Sequence, residues 1–414
     1  MRRRFILLFV LVASPCVGQT TISAERVVFL DTVLELARER APAIVAARAR
    51  VTQAEERGRA ATIYPDPVLT GGLGRGKPPD GGAAGTEWSL ELSQSLPAPW
   101  GQSSRKRVRG AAVEAASRQV DAVTLDVLLD AKILYYEAAL GASRAAALAQ
   151  AADDARSLSE LVARRVEVGE APGADHLRTR VEALRAAADA RAASAQAEGA
   201  EAALNRFLLG SLGSEFALPT DLDPSVMAPL PEGTVELAAS RNPVFRAAQS
   251  RAEAARSAVA VERAARLPGL EVSAYSQSEI DRKAYGATLG IAIPLWNRNR
   301  AGVGIAQAEL AEAEAEANAL RVGIEADVER LLRRDRAARE IAAWYRADIL
   351  PAARETLAIV RNSLEQGEAN LLNWLEARRS LLETLKVSYD AQLEAFLTRA
   401  ELVRLTGESN AIDK

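Results

Sequence analysis

Two kinds of hydrophobic pattern divide this chain. Over most of its length apolar residues recur every three to four positions among Ala, Arg and Glu, the period of an amphipathic helix. From about Ser103 to Val168 and from Arg300 to Gln366 little interrupts that period. At a rise of 1.5 Å per residue each stretch would run to about 100 Å. Positions such as Leu125, Leu128, Ala131, Tyr135 and Ala138 carry the inward stripe, much of it alanine. Pro351 is expected to kink or briefly break the second stretch, whereas Gly110, Gly141 and Gly323 only soften theirs. Runs such as Arg321 to Arg339, dense in both signs of charge, read as solvated faces.

Four short segments have period two instead. Thr86 to Leu96 places Trp88, Leu90, Leu92 and Leu96 on one face, with Glu87, Ser89, Glu91, Ser93 and Ser95 on the other. Ala284 to Ile293 alternates Tyr285, Ala287, Leu289, Ile291 and Ile293 with Gly286, Thr288, Gly290 and Ala292. Gly269 to Gln277 is a weaker copy, and the glycine-rich Val68 to Arg75 is the faintest. Such alternation fits a half-buried sheet in a soluble domain. It also has the length of about 9–11 residues that a tilted transmembrane strand needs. The helices all attach at one end of these pairs, opposite the Gly76 to Gly85 loop and the Glu279 to Lys283 turn. Trp88, Leu90, Leu92, Tyr285, Leu289 and Ile291 are therefore expected to face lipid. Four strands cannot close a barrel, and open edges are not tolerated in hydrocarbon, so three copies supplying twelve strands are the economical solution.

The chain also contains the same half twice. Thr32-Val33-Leu34-Glu35-Leu36-Ala37 and its continuation to Pro42 recur as Thr234-Val235-Glu236-Leu237-Ala238 continuing to Pro243. Pro42 to Pro243 and Pro67 to Pro268 share one offset of 201 residues. Each half reads helix, two strands, long helix, helix. The boundaries expected are a signal at 1–18, a first repeat at 19–217, a Pro-rich linker at 218–231, a second repeat at 232–407 and a tail at 408–414. The β-hairpins fall at about 68–96 and 269–294, and the helical-hairpin tips at about 166–173 and 364–370.

Composition narrows the reading. About one residue in five is alanine and aromatics make up 5% of the 414 residues, so the chain favours long, thinly packed helices over a thick core. A net charge of −3 gives no electrostatic footprint for nucleic acid. One His and one Cys cannot build a His/Cys metal site, and no nucleophile–base pair or phosphate loop is evident, so neither a cofactor nor an enzyme is expected. His176, beside Asp175, is more simply a solvated side chain than a metal ligand. Arg2-Arg3-Arg4 followed by the apolar Phe5 to Ala13 reads as an export signal cut before Gln19. A lipoprotein reading would acylate Cys16, against the poor fit of Pro15 before it.

The doubled layout, the Pro-X-Pro junctions and the Gly-Glu tips resemble the TolC family of outer-membrane efflux proteins. Tyr64-Pro65-Asp66-Pro67-Val68-Leu69 and Leu92-Ser93-Gln94-Ser95-Leu96-Pro97 are most similar to the branch serving heavy-metal resistance pumps. Trp100-Gly101-Gln102-Ser103-Ser104-Arg105-Lys106-Arg107 departs from the Gly-Gly-Lys-Arg common there. The resemblance implies a mainly α fold with a transmembrane β-barrel portion. It further implies a homotrimer in the outer membrane, with a helical tunnel whose tips dock onto a periplasmic adaptor (a membrane fusion protein) of an inner-membrane pump, of RND type. On this resemblance Gly169, Glu170, Gly367 and Glu368 would be the docking tips. Asn373 and Glu376, with Asp175 and Arg178 at the matching place in the first repeat, would line the tunnel aperture. The plain alternative for Glu376 is a surface pair with Arg378 or Arg379. Metal efflux, drug efflux and type I protein secretion stay open as cargo, and a coiled-coil spacer is the reading from another class.

Overall fold

The computed structural model describes residues 26–78, 81–96, 101–227, 230–231, 233–296 and 298–407. The expected signal with Cys16 and the 408–414 tail lie outside the described residues. A two-residue strand β1 (Arg26–Val27) leads into α1 (Leu30–Arg40) and α2 (Pro42–Ala60), then β2 (Val68–Gly76) and β3 (Gly85–Leu96), then α3 (Gln102–Glu167) and α4 (Gly173–Phe207). After β4 (Phe216–Ala217) and one 3-10 turn at Pro224–Val226, the same order returns. It comprises α5 (Thr234–Arg241), α6 (Pro243–Ala264), β5 (Gly269–Ser278), β6 (Lys283–Ala292), α7 (Arg300–Trp344), α8 (Leu350–Glu365) and α9 (Leu371–Thr406).

The first helix of each half is split in two, a difference from the single helix expected. Proline has no N–H to donate and disfavours helical backbone in the residue before it. Ala41 and Asn242, preceding Pro42 and Pro243, accordingly leave the helical region, with ψ of 122° and 121°. Asn242 turns the break into a cap, its Oδ1 accepting from the N–H groups of Val244 and Phe245 at 2.9 and 3.2 Å. Its amide donates to the Leu405 carbonyl at 3.0 Å and ties the junction to the end of α9. Pro351 acts as a local break of another kind. One π-helical turn, Tyr345–Ile349, lies between α7 and α8, so the wider turn takes up the register where the proline removes a donor. By contrast, α3 runs 66 residues unbroken through Gly110 and Gly141.

Beside the helices lies one antiparallel sheet of order β2-β3-β5-β6. Its register decides which side chains share a face. Leu69 pairs with Leu92, Leu92 with Ala274, and Ala274 with Ala287. The next rows read Leu96, Leu270 and Ile291, then Gln94, Val272 and Leu289. Trp88, Leu90, Leu92, Tyr285, Leu289 and Ile291 therefore fall on one apolar face, and all six are exposed in the single chain. The other face carries Glu87, Glu91, Glu271 and Tyr275, with Ser273 and Thr288 hydroxyls 2.6 Å apart. Gly286 is needed there because the Tyr275 ring crosses it, and a Cβ would stand 2.9 Å from the phenolic oxygen. β2 and β6 each leave an outer edge unpaired among the described residues.

The core is a string of clusters along the helices. The largest gathers Val33 and Ile44 with Ala131, Tyr135, Ala138 and Leu204, and Tyr136 stacks on Phe396 with centroids 4.3 Å apart. The short parallel pair β1–β4, two residues on each side, closes over this cluster; two residues are too few to show a period in the sequence. The solvated reading of Arg321 to Arg339 is corrected at Asp335. This carboxylate is 1% exposed and receives both arms of the equally buried Arg399 at 3.0 Å, with Arg339 at 3.0 Å beside it. The partner lies 64 residues away on α9, so local charge density gave no sign of it. Asp335→Ala removes the carboxylate that faces the buried Arg399 and should cost about 3–5 kcal/mol, read as a fall in thermal stability. The paired replacement Asp335→Leu with Arg399→Met should recover most of that loss.

Candidate functional site

The end of the molecule farthest in sequence from the strands is built from two helical hairpins with the same turn. α3 ends in a left-handed Gly169 at φ 80°, and α8 ends in Gly367 at φ 80°. In the first, the N–H of Glu170 reaches the Arg165 carbonyl at 2.8 Å and that of Gly169 reaches Val166 at 3.1 Å. In the second, Glu368 reaches Ser363 at 2.9 Å and Gly367 reaches Leu364 at 3.2 Å. This is the Schellman closure, which satisfies the last carbonyls of a helix and requires positive φ at the glycine. Asn370 then caps α9 by accepting from the Asn373 N–H at 3.0 Å.

The two tips are bolted together. Arg165 donates to the Leu364 and Glu365 carbonyls at 3.0 and 2.5 Å, placing a cation on the negative end of α8. Beneath them Leu158, Val162, Ala186, Leu364, Leu371 and Trp374 form a small apolar cluster. Arg378, 3% exposed, pairs with Glu182 of α4 and lies 5.7 Å from the Trp374 ring centroid. Its Nη2 has no partner among the described residues. Sequence reasoning missed both arginines, because their partners lie 196 to 200 residues away. The one local signal was the i, i+4 spacing of Trp374 and Arg378.

The expected aperture residues divide into two sets. Asp175 and Arg178 form an ion pair with each other at 3.4 Å on the first turn of α4. Asn373 and Glu376 are exposed one turn apart on α9, and no hydrogen bond or ion pair links the two sets among the described residues. The pairing of Glu376 with Arg378 is corrected, since Arg378 is taken by Glu182, and Glu376 forms no ion pair with Arg379 either. Instead Glu376 lines a groove of about 840 Å³ between α4 and α9, where Glu182, Asp189 and Glu383 face Arg185, Arg379 and Lys386. His176 is half-buried rather than solvated, its Nδ1 enclosed without a hydrogen-bond partner among the described residues. Among the described residues no group of three or more His, Cys, Asp or Glu could hold a metal ion. Gly169→Ala and Gly367→Ala force a Cβ into the left-handed region and should each cost about 1–2 kcal/mol locally. Faster amide exchange confined to the altered tip would register it, with the global melting point little changed.

A sequence pattern described as outer membrane efflux protein matches residues 33–211 and 234–408, both halves of the chain. Among curated relatives, the cobalt-zinc-cadmium resistance protein CzcC of Cupriavidus metallidurans is 25% identical over 235 residues, 56% of each chain. Protein CyaE of Bordetella pertussis is 29% identical over 270 residues, 61% of this chain and 56% of that one. The matches thus span little more than half the length of these relatives. The fold recurs in solved structures. CusC superposes with a TM-score of 0.79 at 18% identity over 91% of both chains. The open state of the Neisseria gonorrhoeae outer membrane channel MtrE gives 0.75 at 18% over 98% of both. VceC of Vibrio cholerae gives 0.75 at 20% over 91% of this chain and 96% of that one. A pattern that spans both repeats and a fold shared with these channels lead to one conclusion: the chain belongs to the outer membrane efflux protein family.

Proposed function

We propose that three copies of the chain join their sheets edge to edge into a twelve-stranded barrel in the outer membrane and act as the passive exit duct of a tripartite efflux system. The observation that carries this reading is the register. It collects Leu69 and Leu73 of β2, Trp88, Leu90 and Leu92 of β3, Val272 of β5 and Leu289 and Ile291 of β6 on one face, while the outer edges of β2 and β6 are open among the described residues. In lipid an open edge strands backbone groups without partners, so β6 of one copy must meet β2 of the next. No described helix is long and apolar enough to cross a membrane.

The division 19–217 and 232–407 then gives each copy two hairpins of tunnel wall. The matched tips at Gly169-Glu170 and Gly367-Glu368 present the surface on which a membrane fusion adaptor of an RND-type pump docks. Three copies of Glu376, which forms no ion pair among the described residues, place negative charge around the mouth and favour cations. Asn373 contributes no charge, so the ring is half as acidic as two carboxylates per copy would make it. Similarity to a cobalt-zinc-cadmium resistance protein supports divalent metal ions as cargo, selected upstream in the pump.

The lipid assignment is tested by polarity on the two sheet faces. Leu289→Arg, on the apolar face, should destabilise the folded state in membranes by about 2–4 kcal/mol. Ser89→Arg, on the polar face, should leave membrane yield unchanged. Equal losses from both would count against a bilayer around this sheet. In planar bilayers Glu376→Gln should lower the cation-to-anion permeability ratio. For the cargo, deletion of the gene should sensitise cells to cobalt, zinc or cadmium. Sensitivity to dyes and detergents alone would move the duct to drug efflux.

A further inference from the structure

The junctions between strands and helices carry a charge pattern that the duct itself does not use. Residues 56–67, 101–109, 262–268 and 293–300 hold ten Lys and Arg against three acids, Glu56, Asp66 and Glu262, of which Glu56 pairs with Arg59 at 2.7 Å. At the opposite end of the sheet, residues 75–86 and 279–283 hold four basic residues and three acids. Lys106, Arg107, Arg263, Arg266, Arg298 and Arg300 are all exposed, and none forms an ion pair with a described residue.

These charges are costly to the fold. Arg105, Lys106 and Arg107 crowd the N-terminal turns of α3 with no acid in its first turn, and Arg300 opens α7, where the Glu262 carboxylate accepts from the Asn299 amide at 2.6 Å beside the first turn. Cations at that end oppose the helix dipole, which favours anions there. An arrangement that local electrostatics disfavours points to a compensating anion outside the chain. The same level of the molecule exposes Ile63, Tyr64, Leu267, Ile293, Leu295 and Trp296, the last 92% exposed. Apolar and aromatic side chains with Tyr or Trp among them, beside snorkelling Arg and Lys, are the chemistry of a membrane–water interface.

We propose that this basic collar binds the phosphates of anionic phospholipid headgroups in the helix-side leaflet, with Arg263, Arg266, Arg298 and Arg300 as its principal contacts. The proposal rests on the reading of the sheet as membrane-spanning. It adds a lipid-class preference and a one-sided anchor, since the hairpin-loop end has no matching excess of cations. Each Arg near an anionic surface strengthens attraction roughly five-fold at low salt, and the gain fades within a Debye length of about 8 Å at physiological ionic strength.

The full chain, reconstituted separately in phosphatidylcholine bilayers and in bilayers mixing phosphatidylcholine with phosphatidylglycerol, provides the test. Lipids retained on the released oligomer are counted by native mass spectrometry. The wild type should retain phosphatidylglycerol in clear excess over its bulk fraction. Arg263→Gln, Arg266→Gln, Arg298→Gln and Arg300→Gln combined should cut that excess by at least about tenfold while still inserting. Arg180→Gln with Arg333→Gln, which removes two exposed arginines far from the collar, should leave it intact. Insertion into both bilayers with equal retention of the two lipids overturns the collar and spares the channel reading. Failure to insert into either overturns the membrane-spanning sheet, and the collar with it. Stoichiometric binding of inorganic phosphate in lipid-free detergent, abolished in the four-fold variant, would assign these arginines to a free anion and overturn the lipid.

Discussion

A four-stranded sheet with one apolar face and two open edges is at rest in neither water nor lipid. Water leaves Leu289, Ile291 and Trp88 exposed, and lipid leaves the outer edges of β2 and β6 without partners. The constraint is removed only when the edges meet other edges. Everything below the sheet follows from it, because each strand hands its direction to one helix. The order β2-β3-β5-β6 therefore fixes α2, α3, α6 and α7 as neighbours around a wall. A wall of single helices has no thick interior, and side-chain volume would only push its members apart.

The abundance of alanine becomes intelligible in that geometry. Ala131, Ala138, Ala139, Ala238 and Ala395 are wholly buried, so close helix approach substitutes for bulky packing. Where bulk is thin, specific polar contacts set the alignment of helices. Asp335 with Arg399 joins α7 to α9, Asn242 joins the α5–α6 break to α9, and Arg378 with Glu182 joins α9 to α4. Buried ion pairs are weak evidence for stability, yet they choose between registers that a uniform alanine face would leave nearly equivalent.

The tips and the collar place opposite demands on the two ends of the tunnel. At the tips, glycine at positive φ and a cation on helix carbonyls relieve local strain, and the ends are well satisfied by their own chain. At the collar, basic residues are held against helix dipoles and beside an exposed Trp296, an arrangement complete only with something outside the chain.

Much of the fold was legible along the chain. The period-two segments gave the four strands and the composition of their faces, since alternation needs only neighbours in sequence. The repeat, the long helices, the tip glycines and the effect of Pro351 were readable for the same reason: backbone conformation answers to adjacent residues. What the sequence left open was every pairing across distance. It did not reveal that Asp335, amid a run of surface charge, is buried beneath Arg399, or that Arg378 turns to Glu182 rather than to Glu376. Nor did it give the order of the four strands or the register that pairs Leu92 with Ala274 and Ala274 with Ala287, because a slip of one residue would have reversed any strand. Those choices depend on which helices and strands come to lie side by side, and only the tertiary structure brings together residues some two hundred positions apart.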